Sequence, residues 1–183
     1  MITLNFKPFP VLETERLILR EIKKDDAPAL FKIRSNKEVM KFIDRPLAQT
    51  IADVQALIKL IIDGISNDSA ITWAITLKGD TTLIGTIGFW QVHKEHYRAE
   101  IGYSLLTEFQ QKGLMQEAMD AALNYGFTMM QLHSVEANVN LDNTASIRLL
   151  ENNHFVREAY FKENYYFDGR FLDSAIYSLL KPL

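Results

Sequence analysis

The 183-residue chain contains no cysteine. That removes disulfides, thiolate zinc sites and a cysteine nucleophile from consideration. It has no apolar run near the roughly 18 residues that would suggest a bilayer-spanning helix. Residues 1–10 lack the basic start and long apolar stretch of a secretory leader, so the cytoplasm is the expected location and no membrane partner is expected. Charge of one sign is scarce too: 20 Lys and Arg stand against 23 Asp and Glu, a net charge of −3. No broad basic footprint for nucleic acid follows from that balance. With only eight glycines, the chain carries neither the Gly-Lys-Ser/Thr of a Walker loop nor a three-glycine dinucleotide fingerprint.

What remains is ordinary globular material, 48% hydrophobic and 23% charged. It is enough for one sizeable core, and one domain over residues 1–183 is expected. Residues 17–22 read as a strand. Asp25 and Asp26 offer caps for a helix through Pro28, ending near Ser35 and Asn36. Thr50 caps a second helix, with Asp53 adding negative charge to its first turn. Its apolar residues Ile51, Val54, Leu57, Ile58, Ile61 and Ile62 recur at helical spacing. Strands are predicted over residues 71–77, 83–92, 98–106, 133–139, 155–161 and 174–180. A helix over 114–127 carries only Glu117 and Asp120 as charges, so most of its circumference should be buried. Another helix runs from Asn143 to about Asn152. The pattern is α/β, with one central, mixed, largely antiparallel twisted sheet of about seven strands and flanking helices.

Two segments carry the chemistry. A helix starting at Leu114 leaves free N–H groups and partial positive charge at its N-terminus, an anion site suited to phosphate. Gly113 permits close backbone approach, Lys112 adds charge at the rim, and Gln110 offers a cap or a phosphate contact. From the spacing alone a solvated helix start is the commoner reading. In the second segment, Asn143 caps a helix with Ser146 one turn in. Asparagine is a common cap, and a helical serine often bonds only its own backbone.

Taken together, the segments resemble the GNAT superfamily of N-acetyltransferases, and within it the RimJ/RimL-like branch. Residues 13–20 (ETERLILR) are similar to that branch's opening, and residues 72–75 and 83–89 to its central hairpin. Residues 99–103 match its next strand and 110–118 its pyrophosphate loop. Asn143, Ser146, Leu149 and Phe155 match its last helix, and Asp168, Gly169 and Asp173 its terminal hairpin. Four positions depart. Met115 stands where Gly or Ala is usual. Gln111 replaces a frequent Gly. His154 replaces the Gly that usually precedes Phe155; if the backbone there needs φ > 0, His is allowed at a greater cost than Gly. Leu150 sits where many members carry a catalytic tyrosine.

The resemblance implies a GNAT fold splayed between the fourth and fifth strands, residues 98–106 and 133–139, with a bulge in the former. It implies acetyl-CoA as co-substrate, no metal, and direct attack by an amine in a ternary complex. Cofactor contacts are expected at Tyr103, Ser104, Leu105, Gln110, Gln111, Lys112, Gly113, Leu114, Met115, Asn138 and Asn143. Ser146 is expected to hydrogen-bond the leaving sulfur. Glu100 is the candidate base, against a water chain or simple pairing with Arg98 or Lys94. At pH 7 roughly 10–15% of an α-amine is neutral, against well under ~0.1% of a lysine amine. A protein N-terminus or small α-amine is therefore the expected acceptor. A polyamine or other small amine is the alternative, and a non-catalytic acyl-CoA sensor is the rival of another class. His93 and His96 read as strand-end residues more readily than as metal ligands. The aromatic group Tyr160, Phe161, Tyr165, Tyr166 and Phe167 reads as hairpin packing or as a substrate mouth, and a homodimer through it is an expectation.

Overall fold

Alternation in the central strand organises the molecule. In the computed structural model, which describes residues 1–181, β3 (Ile71–Leu77) is buried along almost its whole length. Trp73 and Ile75 face one side of the sheet and Ala74 the other, as the period-two geometry of a strand requires. Trp73 is fully buried and meets Phe9, Phe89 and Tyr125 edge to face, with Tyr125 at 5.4 Å between centroids. Its indole N–H donates to the Pro10 carbonyl at 2.7 Å, so the one polar atom of this core residue is satisfied.

The sheet has eight strands. These are β1 (Leu12–Glu13), β2 (Leu17–Glu21), β3, β4 (Gly85–His93), β5 (Arg98–Leu105), β6 (Ser134–Val139), β7 (Val156–Phe167) and β8 (Arg170–Leu180), in the order β1-β2-β3-β4-β5-β6-β8-β7. Among the described residues only β5 and β6 pair in parallel. The mixed, largely antiparallel expectation is met, with the two-residue β1 as the additional strand. The terminal hairpin also extends well beyond the predicted strands. Its outer strand β7 is largely exposed, so no in–out alternation marked those residues.

Helices cover both faces. On one side α4 (Leu114–Thr128) packs over the strands, together with Ile2, Leu4 and Phe6 from the N-terminal arm. Only its Asp120, Asn124 and Thr128 are exposed, in line with its sequence. On the other side lie α1 (Ala27–Arg34) and α3 (Ile51–Ser66), with the short α2 (Lys37–Met40) between them. The start of α3 is a capping box: Asp53 N–H donates to Thr50 Oγ1 at 3.3 Å, and Thr50 N–H donates to the Asp53 carboxylate at 2.9 Å. Asp26 does not cap α1 as expected. Its carboxylate accepts the Lys23 N–H and both terminal nitrogens of Arg20, at 2.7–2.8 Å. Burial pushes the Asp26 pKa up, but the Arg20 hydrogen bonds and charge outweigh it, and the net shift is downward.

The feature that positions the site is the seam between β5 and β6. They pair only at Arg98↔Ser134, Ala99↔Val135 and Glu100↔Glu136, and then diverge. Beyond Glu100, β5 stays paired to β4 as far as Leu105, while β6 stays paired to β8 as far as Val139. This is the expected splay. The expected bulge lies elsewhere: the extra residue is in β4, between Trp90 and His93, where Gln91 takes φ 45°. Opposite it, β5 has only Ala99 between its paired residues. The bulge increases local twist just where β5 and β6 part. α5 (Thr144–Asn152) follows β6 beside the opening.

Candidate active site

Opening the seam leaves the backbone edge of β5 beyond Glu100 without a neighbouring strand, and two cavities form along it. One, of about 610 Å³, extends to the N-terminus of α4 and is bordered by Gln111, Gly113, Leu114 and Met115. The other, of about 520 Å³, opens on the α1–α3 side and is bordered by Glu100, Trp90, Asn138 and Tyr165. The two share Phe42, Ile43, Tyr103, Ser104, Asn143 and Ser146. A ligand in one cavity therefore meets a ligand in the other at Tyr103 and Ser146.

The first cavity has the chemistry of an anion cradle. Gly113 caps α4 in the left-handed conformation, φ 74°, and no side chain caps the helix. The helix ladder begins only when Glu117 N–H reaches the Gly113 carbonyl at 3.1 Å. The N–H groups before it, at the positive end of the helix dipole, are left to a ligand. Gln111 also takes a positive φ, 58°, where the resemblance places a glycine, and His154 does the same at 64°. Met115 is half-buried and packs against the core, so its length does not obstruct the loop.

Two loop side chains make contacts within the protein. Gln110 borders the cavity and its amide donates to the Leu105 carbonyl at 2.9 Å, bracing the end of β5. Lys112 lies outside the cavity lining, its ammonium 5.7 Å from the centre of the Phe109 ring. A residue that the sequence reading did not single out lies beside the loop. The Arg16 guanidinium donates to the Lys112 carbonyl at 2.9 Å and to Glu117 at 2.7 Å. It ties the β1–β2 turn to the loop and carries positive charge beside Gly113. The only signal for it was its place in the ETERLILR opening.

At the junction, the Tyr103 hydroxyl and Ser146 Oγ lie 2.6 Å apart. Asn143 fixes the start of α5 by accepting the Ser146 N–H at 3.1 Å. Burial pushes the Tyr103 phenol up to about 12, so it keeps its proton through the physiological range. Leu150, at the position matching the family's tyrosine, is fully buried and reaches neither cavity.

In the second cavity Glu100 stands apart from the ion pairs once open to it. Arg98 turns to Glu136 instead, at 3.5 Å. Burial first, and the Glu136 charge second, push the Glu100 carboxyl up to about 7. The Asn138 backbone and the Trp90 indole favour its charged form but do not offset this. Asn138, expected on the cofactor side, borders this cavity and not the other. Across from Glu100, the Tyr165 hydroxyl donates to the Asp44 carboxylate, tying the terminal hairpin to the segment after α2. Of the hairpin aromatics, Tyr165 lines the cavity, while Tyr166 packs on Phe171 with centroids 5.2 Å apart. Arg34 and Arg45 also border the cavity and had no signal in the sequence. His93 and His96 sit at the far end of β4, and among the described residues no cluster of three or more His, Asp or Glu is placed to hold a metal.

An open-seamed sheet, with an uncapped helix N-terminus at one end of the seam and a carboxyl group pushed up by burial at the other, is the arrangement expected of an acyl-CoA-dependent transferase. The chain belongs to the GNAT acetyltransferase family, whose domain model matches residues 16–156. It is 36% identical to the uncharacterized N-acetyltransferase YoaA of Bacillus subtilis over 95% of this chain and 98% of that protein. It is 30% identical to the [ribosomal protein uS5]-alanine N-acetyltransferase of Escherichia coli over 70% and 66% of the two chains. It is 24% identical to the spermidine N(1)-acetyltransferase of Vibrio cholerae over 86% and 89%. Among solved structures, a GNAT-family acetyltransferase from Bacillus anthracis superposes with a TM-score of 0.82 at 30% identity, over 93% of this chain and 98% of that one. RimL in complex with coenzyme A shares the fold, with a TM-score of 0.85 at 22% identity over 93% and 98%. The protein is an N-acetyltransferase that uses acetyl-CoA.

Proposed function

We propose that the chain acetylates a primary α-amine, of a protein N-terminus or a small molecule, by direct attack with both substrates bound. The observation that carries this is the meeting of the two cavities at Tyr103 and Ser146, which places the α4 N-terminus and Glu100 on either side of one junction. The backbone N–H groups at residues 113–115 would hold the pyrophosphate, and the free β5 edge at Tyr103, Ser104 and Leu105 the pantetheine arm. Acetyl-CoA supplies the acetyl group already activated as a thioester.

The rest falls to the chain's own groups. Glu100 accepts the proton that the acceptor ammonium must lose. Its pKa of about 7 is close to that of an α-amine, so the transfer is nearly level. For a lysine or polyamine amine near ~10.4 the same transfer is uphill by about 4–5 kcal/mol. Ser146 donates its hydroxyl hydrogen to the leaving sulfur. Tyr103, which holds its own proton, donates in turn to Ser146 Oγ and fixes its orientation. Neither hydroxyl is acidic enough to protonate the thiolate outright, so the pair acts by hydrogen bonding.

The named activity of the uS5-alanine relative, on a protein, supports the α-amine reading. The spermidine relative supports a polyamine acceptor, the second reading. Thiol release from acetyl-CoA, measured with N-terminal peptides, amino acids and polyamines, separates them. Turnover on α-amines is the expected result. Turnover on polyamines alone would overturn it, as would tight CoA binding with no acceptor at all.

A further inference from the structure

The acceptor cavity has a charge pattern that the proposed function does not use. Arg34, at the end of α1, is half-buried, and Arg45 follows α2 at the rim. Among the described residues, no ion pair involves either one. Asp44 lines the same cavity and keeps its charge while it accepts the Tyr165 hydroxyl hydrogen, but it forms an ion pair with neither arginine. The two guanidiniums lie close enough for the Arg45 charge, added to burial, to lower the Arg34 pKa. Half-buried Arg34 and exposed Arg45 thus border one cavity without an ion-pair partner of their own, an arrangement that an anion on the ligand would stabilise. Glu100 does not serve as such a partner. It feels the Arg45 charge, but no ion pair joins it to either arginine, and burial keeps it half neutral.

We propose that the acceptor carries a carboxylate-class anionic group on the same molecule as its amine, held by Arg34 and Arg45 while the amine lies at Glu100. Guanidinium forks match carboxylate geometry and form charge-assisted hydrogen bonds. A polyamine would bring further positive charge into the same space. The carboxylate belongs either to a free amino acid or to an acidic side chain next to a peptide's N-terminus. This rests on the acetyltransferase reading above.

The test is thiol release from acetyl-CoA with matched acceptors. One pair is a free amino acid and its carboxamide. The other is a tetrapeptide amide with glutamate in second place and its glutamine counterpart, with spermidine as a cationic probe. In at least one pair the carboxylate member should have a kcat/KM about tenfold or more above its neutral partner. The pair that discriminates identifies the source. In Arg34→Gln that ratio should fall toward one. Arg45 is exposed, so Arg45→Gln gives the same readout without the folding risk of a half-buried site. Turnover with no preference in either pair, a preference for spermidine, or a ratio unmoved in both variants would overturn this inference and leave the acetyltransferase reading standing. Absence of turnover on every acceptor would overturn both.

Discussion

Replacing Glu100 by glutamine should stabilise the protein and disable it at once. The carboxyl is pushed from its ordinary 4.5 to about 7, chiefly by burial and then by the Glu136 charge. Its folded-state pKa lies above its unfolded value, so the native state binds the proton more tightly. Stability from this group is intact below pH 4.5 and is lost as the pH rises through 7. The full gap corresponds to about 3 kcal/mol, which water reaching this half-exposed carboxyl reduces to about 1–2 kcal/mol. Glutamine fills nearly the same volume and carries no charge. At pH 8.5, Glu100→Gln should therefore melt about 3–6 °C above the parent, with the difference vanishing near pH 4.5. In the same variant kcat/KM should fall about 10²-fold or more, and the parent's rising limb near pH 7 should disappear. Urea or thermal melts at the two pH values, paired with a pH–rate profile, read both effects. A variant no more stable than the parent at pH 8.5 would refute the desolvation argument. One that keeps the pH 7 limb would refute the role as base.

Gly113→Asp should weaken CoA binding about tenfold or more, because it sets a carboxylate and a strained positive φ at the phosphate cradle. Calorimetric titration with CoA measures this, and an unchanged Kd would sink the loop assignment. Ser146→Ala should lower kcat more than it raises KM, whereas a change in KM alone would make Ser146 a binding residue. Arg20→Leu should cost about 3–5 kcal/mol in urea unfolding, since it leaves the buried Asp26 carboxylate without its partner. Gly88→Ala should destabilise more than its size suggests, because an added Cβ would lie 2.2 Å from the Ile71 carbonyl oxygen, where two strands cannot separate.

Much of the scaffold was legible because local rules and tertiary packing agree in it. The Thr50–Asp53 cap, the apolar face of α3 and the nearly uncharged α4 each point to the element observed. The left-handed His154 was legible as well, since glycine is usual there in the family. The β4 bulge was not, because Gln91 and Val92 break no hydrophobic period that a one-residue insertion would disturb. The terminal hairpin was underread because β7, exposed along most of its length, has no buried face to imprint a pattern. In the site, the uncapped start of α4 was legible because a helix start is visible locally. Arg34, Arg45 and the Asp44–Tyr165 contact were not. The last spans 121 residues of sequence and exists only once the terminal hairpin closes over the segment after α2.

The Tyr103–Ser146 pair bears on how a hydroxyl reaches the thioester when the helix lacks its tyrosine. Leu150 is fully buried, four residues beyond Ser146 on α5, so its side of that turn belongs to the core. A phenol there would have to displace core packing to enter the cleft, at a cost of about 1–3 kcal/mol. Ser146, one turn earlier, does border both cavities, but a serine alone is a weak donor with a freely rotating hydroxyl. Tyr103 comes from the opposite side of the seam, on β5, and removes that freedom by hydrogen-bonding Ser146 at 2.6 Å. Either hydroxyl can donate in this contact; in the function proposed above, Tyr103 donates to Ser146 and Ser146 is left to donate to the sulfur. The splay that admits the pantetheine arm in the proposed function is the same feature that lets a β5 side chain face α5. The Tyr103–Ser146 contact and the cavities beside it are positioned by one geometric event, the parting of β5 from β6 after Glu100.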